Sequence, residues 1–355
     1  MEKQIKTIGV LTSGGDAPGM NAAVRAVVRT GLHKGFRMIG IQRGYNGLLM
    51  QNKNHVDDYE ILTGRSVSGI IHRGGTFLMT ARCKEFLFEE YRKEALDNMR
   101  SLGLEGLVVI GGDGSFAGAY ELNRMGFPTV GIPGTIDNDL AYTDYTLGFD
   151  TAVNTACECV NRIRETSESH ERASLITVMG RDCGEIALHT AVDCGAEFAL
   201  LPEVEWSVEE IADRIKWGVL NGKRSTILIE AEGANKSLTR VLHALCETHQ
   251  ELADIKDDKL TSSKLARVLE VLSGHEVRAT VLGYTQRGGT PSAMDRRLGS
   301  QFGARAVELL NENKGGRAVG IKDQKIVDVP FEEVHGTKRG VDEELLQLQQ
   351  VLARY

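Results

Sequence analysis

Two short loops carry carboxylates in a setting that suits phosphate chemistry. Asp113 lies in the sequence GGDGS after the apolar segment Leu107–Ile110, and Asp137 lies in PGTIDND after Pro128–Ile132. Each apolar segment predicts a buried parallel strand, and ligands of open α/β sheets bind beyond the carboxyl ends of such strands. One loop suits phosphate and a metal ion, and the other suits a carboxylate that accepts a proton. The pairing favours phosphoryl transfer.

A third glycine-rich loop, Thr12–Gly19, follows the first predicted strand and opens a helix. Its small residues allow the backbone to approach a phosphate, and the amides at the start of a helix favour negative charge. The loop matches neither the Walker A pattern nor GxGxxG. Taken alone, the loop Thr12–Gly19 fits a tight turn without a ligand equally well. In the same way, Asp113 also fits a simple Asp-Gly turn, and Asp137 also fits a solvated Asx turn.

Four arginines supply the positive charge that an anionic substrate needs. Arg172 lies in a polar loop after a predicted helix, Arg181 follows a predicted strand, and Arg278 begins another. Arg287 lies in the glycine-rich stretch 283–289. Arginine at such positions suits bidentate phosphate binding. Singly, each is more often a surface residue, so the interpretation depends on all of them meeting a ligand.

Composition excludes several classes of protein. The 355 residues are 41% hydrophobic and 26% charged, the net charge is −7, and no basic run suggests nucleic-acid binding. The six cysteines show no disulfide or zinc spacing, which predicts reduced thiols. We expect a cytoplasmic protein without a signal peptide or membrane span.

Strand and helix patterns alternate along the chain, which predicts an α/β fold with mostly parallel sheets. Further predicted strands are Ile5–Leu11, Phe36–Ile41, Ser174–Met179, Phe198–Leu201, Thr226–Ala231 and Val277–Leu282. Predicted helices are Asn21–Leu32, Lys84–Leu102, Thr151–Thr166, Glu185–Val192, one capped by Ser207 and ending near Asn221, His243–Leu252, Ser263–Ser273, Ser292–Leu310 and Glu343–Leu352. The number of strands indicates two Rossmann-like doubly wound domains, with the active site in the cleft between them.

The motifs TSGGDAPGMNA, RGGTFL, GGDGS, PGTIDND, DTA, MGR and QRGG together resemble the ATP-dependent 6-phosphofructokinase family of bacterial type, from about Thr7 to Gly320. The resemblance implies transfer of the ATP γ-phosphoryl group to the 1-hydroxyl of fructose 6-phosphate with Mg²⁺, the committed step of glycolysis. It also implies a homotetramer whose active sites are shared between subunits. We expect a larger ATP-binding domain, 1–148 plus about 286–336, and a smaller sugar-phosphate domain, 149–285 plus about 337–355.

The resemblance also implies roles for individual residues. The ATP contacts would be Gly15, Arg82, Cys83, Gly112, Asp113, Gly114 and Ser115, with Asp113 at the magnesium position. The catalytic set would be Asp137 as proton acceptor, with Thr135 and Arg181. The sugar-phosphate contacts would be Thr135, Ile136, Asp137, Met179, Gly180, Arg181, Glu232, Tyr284, Thr285, Gln286 and Arg287 within a subunit, with Arg172 and Arg278 from its neighbour.

Several positions bear on donor choice and regulation. Relatives that use pyrophosphate typically carry aspartate and lysine where this chain has Gly114 and Gly134, which favours ATP here. Tyr284 stands where the family usually has histidine. The family's effector pocket matches Arg25, Arg29, Arg164, Glu197 and Lys223. However, Gly64 and Asn221 replace an expected arginine and lysine. A pyrophosphate-dependent enzyme and a non-catalytic sensor of nucleotides or sugar phosphates remain the alternatives.

Overall fold

A computed structural model describes residues 5–49, 58–234, 245, 249–255, 261–334 and 336–353. The chain divides into two compact units, unit 1 comprising residues 1–151 and 287–338 and unit 2 comprising 152–286 and 339–355. Among the described residues, no helix combines the length and the apolar character needed to cross a membrane.

The strands and helices alternate through most of the described chain. The strands are β1 (Thr7–Thr12), β2 (Arg37–Ile41), β3 (Tyr59–Leu62), β4 (Gly106–Gly111), β5 (Thr129–Pro133), β6 (Ala173–Val178), β7 (Phe198–Leu200), β8 (Thr226–Ala231), β9 (Val277–Val281), β10 (Arg317–Lys322) and β11 (Lys325–Pro330). The α-helices are α1 (Met20–His33), α2 (Tyr45–Leu48), α3 (Glu89–Ser101), α4 (Asp113–Arg124), α5 (Phe149–Ser169), α6 (Glu185–Asp193), α7 (Val208–Leu220), α8 (Ser262–Ser273), α9 (Ala293–Asn311), α10 (Phe331–Val334) and α11 (Glu343–Leu352). Short 3₁₀ helices are Glu85–Leu87, Gln250–Ile255 and Gly283–Arg287.

Unit 1 is built on a sheet of seven strands in the order β11-β10-β5-β4-β1-β2-β3. The five strands from β10 to β2 pair in parallel, and β11 and β3 are antiparallel strands at the two edges. Strands β1, β4 and β5 are buried along their whole length, as expected for parallel strands covered on both faces. Because these three strands are neighbours, the loops after them emerge side by side.

Unit 2 has a parallel sheet of four strands in the order β7-β8-β6-β9. Its core contains the apolar faces of α7 and α8, including Ile211, Ile215, Leu265 and Leu269. The Ser207 side chain accepts a hydrogen bond from the backbone of Glu210, which is the predicted cap of α7. The α/β class and the mostly parallel sheets predicted from the sequence are confirmed.

The structure differs from the predicted elements in several places. The predicted helix Lys84–Leu102 is interrupted, because Phe88 has an extended backbone and separates a short 3₁₀ helix from α3. Strands β3, β10 and β11 and helices α2, α4 and α10 were not predicted. The predicted helix His243–Leu252, the polar insertion Asp254–Lys259 and Cys246 fall wholly or partly outside the described residues.

Candidate functional site

The three glycine-rich loops of unit 1 form one continuous surface beyond β1, β4 and β5. The Gly134 amide donates to the Gly111 carbonyl over 3.0 Å, and the Ser13 amide donates to the Ile110 carbonyl over 2.9 Å. The Ser115 hydroxyl donates to the Ser13 carbonyl over 3.1 Å. The loops that carry Asp113 and Asp137 therefore lie next to each other, as the order of the strands requires.

Asp113 lies in the first turn of α4, whereas the sequence placed it in a loop. The helix starts immediately after β4, because only Gly112 separates the two elements, and no side chain caps its first amides. Helix-start amides that no side chain occupies are suited to phosphate oxygens. A carboxylate in the same turn adds an oxygen ligand of the kind that Mg²⁺ prefers.

Two glycines of this loop differ in the space around them. A Cβ atom on Gly111 would lie 2.5 Å from the backbone oxygen of Ser13, and one on Gly112 would lie 3.5 Å from the Cβ of Thr135. A Cβ on Gly114 would meet nothing within 4 Å. The packing of the strands therefore requires glycine at position 111, whereas the surface beside Gly114 is open.

This difference gives a stability prediction. We expect Gly111→Ala to lower the free energy of unfolding by about 1–3 kcal/mol, because backbone atoms must move to admit the methyl group. The matched control is Gly114→Ala, which fills open space in a helix and should be neutral or stabilising by up to ~1 kcal/mol. Urea unfolding of both variants checks this. Equal shifts for the two variants would contradict the packing argument.

Asp137 is held in a buried loop after β5. Its side chain is 3% exposed, and its backbone amide donates to the Thr135 hydroxyl over 3.2 Å. Asn138 has a left-handed backbone (φ 51°), and its side chain accepts from the Thr146 amide over 3.0 Å. Ile136 is fully buried. The loop is thus anchored on both sides of Asp137, which fixes the carboxylate as proton transfer demands.

Arg287 approaches the first glycine loop. Its guanidinium donates to the Asp16 carbonyl over 3.0 Å, and a Cβ on Gly15 would lie 2.8 Å from Arg287 Nη1. A side chain at position 15 would displace the guanidinium, so glycine there lets the cation rest on the loop. The structure therefore brings Arg287 to the same surface as the loops that carry Asp113 and Asp137.

Arg82 and Cys83 lie just before the 3₁₀ helix Glu85–Leu87. Arg82 is exposed, and Cys83 is half-buried with its thiol 3.7 Å from the Glu85 carboxylate. Burial raises the pKa of the Cys83 thiol, with the Glu85 charge acting in the same direction. Cys83 is thus a neutral thiol that packs against the core around Phe86, suited to van der Waals contact with a ligand.

A group of predicted site residues lies at the carboxyl edge of the unit 2 sheet. Gly180 and Arg181 follow β6 with positive φ angles of 130° and 54°, and the Arg181 amide donates to the Glu232 carboxylate over 2.9 Å. A Cβ on Gly180 would lie 2.5 Å from the Cys183 carbonyl oxygen, so this turn requires glycine. At the same edge Met179, Glu232, Tyr284, Thr285 and Gln286 follow β6, β8 and β9.

Two side chains of the turn after β9 differ in their exposure to solvent. Tyr284 is 82% exposed, whereas Gln286 is fully buried and donates to the Gly283 carbonyl over 3.3 Å. The buried amide therefore fixes the turn, and the phenol projects from it. Tyr284 can offer one hydrogen bond to a ligand but cannot become cationic.

Arg172 and Arg278 lie at the opposite, amino edge of the same sheet. Both contact the carboxylate of Glu276, Arg172 at 3.6 Å and Arg278 at 2.7 Å. Strand β6 separates them from Arg181, and a strand of this length spans about 17–20 Å. Within one chain Arg172 and Arg278 therefore lie away from Arg181, since parallel strands place their two ends on opposite edges.

The unit 2 residues matched to an effector pocket already have contacts within that unit. Lys223 pairs with Glu197 at 3.0 Å, and Arg164 donates to the Cys194 carbonyl. Arg25 and Arg29 lie on α1 of unit 1. An anion bound by Lys223 or Arg164 would therefore have to compete with the partners that these two side chains already have.

The structure adds two residues that the sequence reasoning missed. Tyr45 donates to the Ser115 carbonyl and stacks on Phe86, and burial raises the pKa of its phenol well above the usual range. Glu276 is the shared partner of Arg172 and Arg278. Neither lies in a glycine-rich motif. The one indication of Glu276 in the sequence is that a negative charge stands two residues before Arg278.

Comparisons with known proteins identify the relatives of the chain. A family model described as Phosphofructokinase matches residues 7–310. The ATP-dependent 6-phosphofructokinase of Clostridium botulinum is 48% identical over 99% of this chain and 100% of the relative. That of Clostridium tetani is 49% identical over 98% and 100%. The phosphofructokinase structure from Saccharomyces cerevisiae superimposes with a TM-score of 0.81 at 34% identity. It aligns with 98% of this chain, which spans about half (48%) of the yeast chain.

Proposed function

Because the chain belongs to the phosphofructokinase family, as its motifs predicted, we propose that it transfers the γ-phosphoryl group of ATP to the 1-hydroxyl of fructose 6-phosphate. The products are fructose 1,6-bisphosphate and ADP, and the reaction is the committed step of glycolysis in the cytoplasm. The observation that carries this proposal is the adjacency of the Asp113 helix start and the buried Asp137 loop at one sheet edge. A phosphate site and a proton acceptor side by side are what phosphoryl transfer to a hydroxyl needs.

The two units divide the substrates between them. Unit 1 binds ATP through the first turn of α4, the loop after β1 and the segment at Arg82 and Cys83. Unit 2 binds the sugar phosphate through Arg181, Glu232 and the turn at Tyr284–Gln286. Asp137 accepts the proton of the attacking hydroxyl, Thr135 holds the loop, and Arg287 and Arg181 offset developing negative charge.

The residues present fit a magnesium ion that arrives with the nucleotide. Among the described residues, no group of three or more carboxylate, histidine or cysteine side chains forms a ready-made metal site. Mg²⁺ bound to a nucleotide typically takes one or two carboxylates together with phosphate oxygens and water. Asp113 would supply the carboxylate, and the ion would neutralise phosphate charge.

The open surface beside Gly114 supports ATP over pyrophosphate as the donor. An aspartate there would find room within the chain and would place its charge where a bound nucleotide needs space. Gly134 has a separate reason to be glycine. A Cβ there would lie 2.9 Å from Met20 Cε and 3.0 Å from Ile110 Cγ2, so a lysine requires repacking whatever the donor.

Gly114→Asp is therefore expected to raise the ATP concentration for half-saturation by about tenfold or more, because like charges in a partly desolvated site repel by over ~1 kcal/mol. Gly114→Asn is the matched control of equal size, and its effect should be several-fold smaller. ATP titration at saturating fructose 6-phosphate measures both. Equal effects from the two variants would point to size, not charge.

A further part of the proposal is a homotetramer in which neighbouring subunits complete each sugar-phosphate site. Within one chain Arg172 and Arg278 lie on the sheet edge opposite Arg181, so they cannot reach a ligand bound at that edge. A second copy of the chain can present them there. This division of the arginines supports shared active sites.

One substrate screen tests the proposed reaction. The full-length protein with Mg²⁺ is assayed with ATP, GTP and pyrophosphate against fructose 6-phosphate, with coupled detection of fructose 1,6-bisphosphate. We expect turnover with ATP and little with pyrophosphate. Turnover with pyrophosphate alone would favour the pyrophosphate-dependent alternative, and binding of both substrates without turnover would favour a sensor.

A further inference from the structure

A buried carboxylate lies where two helices begin. Asp295 is the third residue of α9, and its side chain accepts hydrogen bonds from the start of α5. The residue is fully buried, so its carboxylate interacts with the protein and not with solvent. None of the proposed catalytic steps uses this carboxylate.

Both oxygens of the carboxylate accept hydrogen bonds from the first turn of α5. Asp295 Oδ1 accepts from the Gly148 amide over 2.7 Å, and Oδ2 accepts from the Thr151 amide over 2.9 Å and from the Thr151 hydroxyl. The Thr151 hydroxyl in turn accepts from the Ser292 amide over 2.9 Å. Amides at a helix start favour a negative charge, so the carboxylate fixes the residue before α5 and the third residue of that helix together.

The turn that precedes α5, residues 146–148, is also bonded to the loop that carries Asp137. The Thr146 amide donates to the Asn138 side chain over 3.0 Å, and the Thr146 hydroxyl donates to the Thr135 carbonyl over 2.6 Å. The next amide donates to the carbonyl at the end of β5 over 2.8 Å. The turn 146–148 therefore holds the loop on both sides of Asp137.

The same turn packs closely against two of the glycine-rich loops. Gly148 has a φ angle of 100°, and a Cβ on it would lie 2.7 Å from Ala17 Cβ and 3.1 Å from Ile136 Cγ2. A Cβ on Gly19 would lie 3.2 Å from the Cβ of Asp295. Because the packing leaves no free space, a displacement of the turn 146–148 is passed on to the loops beside it.

Asp295 is ionised at neutral pH in spite of its burial. Burial raises the pKa of the Asp295 carboxyl to about 6, and the charge of Asp150 acts in the same direction, whereas the hydrogen bonds from Thr151 and Gly148 act against it. A carboxylate accepts from all of these donors at once. An amide side chain of the same shape has one accepting oxygen and an NH₂ group that only donates.

We propose that Asp295 is a positioning residue for proton transfer at Asp137, since its carboxylate fixes the turn 146–148 and this turn fixes the loop that carries the base. The inference rests on the proposed function, in which Asp137 accepts the proton of the attacking hydroxyl. Asp295 is fully buried, so it acts through the turn. A misplacement of about 1 Å costs about 10²-fold in rate, so the effect should appear in kcat.

The test compares the steady-state kinetics of Asp295→Asn with those of the wild-type protein. We expect kcat to fall about 10–100-fold, because the amide turns its NH₂ group toward donors of α5 and displaces the turn. KM for ATP and for fructose 6-phosphate should change less than about threefold, as for an interaction that matters in the transition state.

Ser292→Ala is the matched control at the start of α9. The Ser292 hydroxyl accepts from the Asp295 amide over 3.1 Å, so its removal weakens the cap of α9 and leaves the carboxylate with its donors. This variant should lose stability and keep kcat within about twofold of the wild type. An equal loss of kcat in Ser292→Ala and Asp295→Asn would overturn the proposal.

Thr151 provides a milder pair of variants that keeps the buried charge, and this pair decides the question if Asp295→Asn does not fold. Thr151→Val keeps the shape of the side chain and removes the hydroxyl that bonds Asp295, so kcat should fall several-fold. Thr151→Ser keeps the hydroxyl and should restore most of kcat. Equal kcat values for the valine and serine variants would contradict the proposed role.

Hydrogen–deuterium exchange reads the loop itself and does not depend on activity. Backbone amides of residues 134–148 should exchange faster in Asp295→Asn than in the wild type or in Ser292→Ala. Unchanged exchange there, kcat within threefold of the wild type, or a change confined to KM would overturn the proposal. Absence of fructose 6-phosphate phosphorylation by the wild-type protein would instead refute the proposed function, and the exchange measurement would still decide whether Asp295 holds the loop.

Discussion

Asp137→Asn should lower kcat by about 10²–10⁴ while ATP and fructose 6-phosphate still bind, because positioned general bases contribute rate factors of this size. Asparagine keeps the shape of the side chain and loses only the group that accepts the proton. The loop should remain in place, since its anchors are the Thr135 hydroxyl and the Asn138 side chain. A coupled assay gives kcat, and calorimetric titration gives the binding of each substrate.

The adjacent carboxylate supplies the control for this variant. Asp139 lies in the same loop and is half-buried, so Asp139→Asn tests the effect of removing a nearby negative charge. Its kcat should fall less than about tenfold, because it does not take the proton. Turnover of Asp137→Asn within tenfold of the wild type would remove Asp137 as the base. A loss of substrate binding would instead assign it a binding role.

Local patterns predicted the two strands that precede Asp113 and Asp137, but not helix α4, which carries Asp113. The runs Leu107–Ile110 and Pro128–Ile132 are apolar except for Thr129, and they coincide with the buried parallel strands β4 and β5, each followed directly by its glycine-rich sequence. Adjacent parallel strands end at a common edge, so the neighbourhood of the two loops followed from the strand pattern alone. The family resemblance added the chemistry of these positions, and membership of the family is confirmed.

The antiparallel edge of the unit 1 sheet was not predictable by the same means. Strands β10 and β11 are joined by Asp323 and Gln324, and both residues have positive φ angles, 48° and 62°. The usual sign of such a hairpin is Asn-Gly or Asp-Gly, and here the second residue is glutamine. The turn is held instead by tertiary contact, since the Asp323 amide donates to the Asp144 carboxylate over 2.8 Å.

The two groups of arginines show what sequence spacing omits. The sequence placed Arg172 before a predicted strand and Arg181 after it, and the structure has them at the two ends of β6. The sequence does not show which strand pairs with β6. The register of β6 against β9, with Ser174 opposite Arg278, places Arg278 beside Arg172. Only the paired strands reveal that these two share Glu276 and lie away from Arg181.

That division predicts that two inactive variants restore activity when their subunits are mixed. One variant is Asp137→Asn, and the other carries Arg172→Ala and Arg278→Ala. Each lost arginine contact should cost about 1.5–3 kcal/mol of sugar-phosphate binding, so the second variant should be nearly inactive at moderate substrate concentrations. In a mixed assembly, an intact Asp137 from one subunit meets intact arginines from its neighbour.

Random reassociation of equal amounts of the two variants should recover roughly a quarter of the wild-type activity. A working site needs Asp137 from one subunit and the two arginines from its neighbour, and each of these subunits is the right variant with a chance of about one half. The decisive control mixes Asp137→Asn with Arg181→Ala. In the proposed assembly one subunit supplies both Asp137 and Arg181 to a site, so that mixture should stay inactive. Recovery with Arg181→Ala, or none with the double arginine variant, would show that Arg172 and Arg278 do not act on a neighbour's substrate.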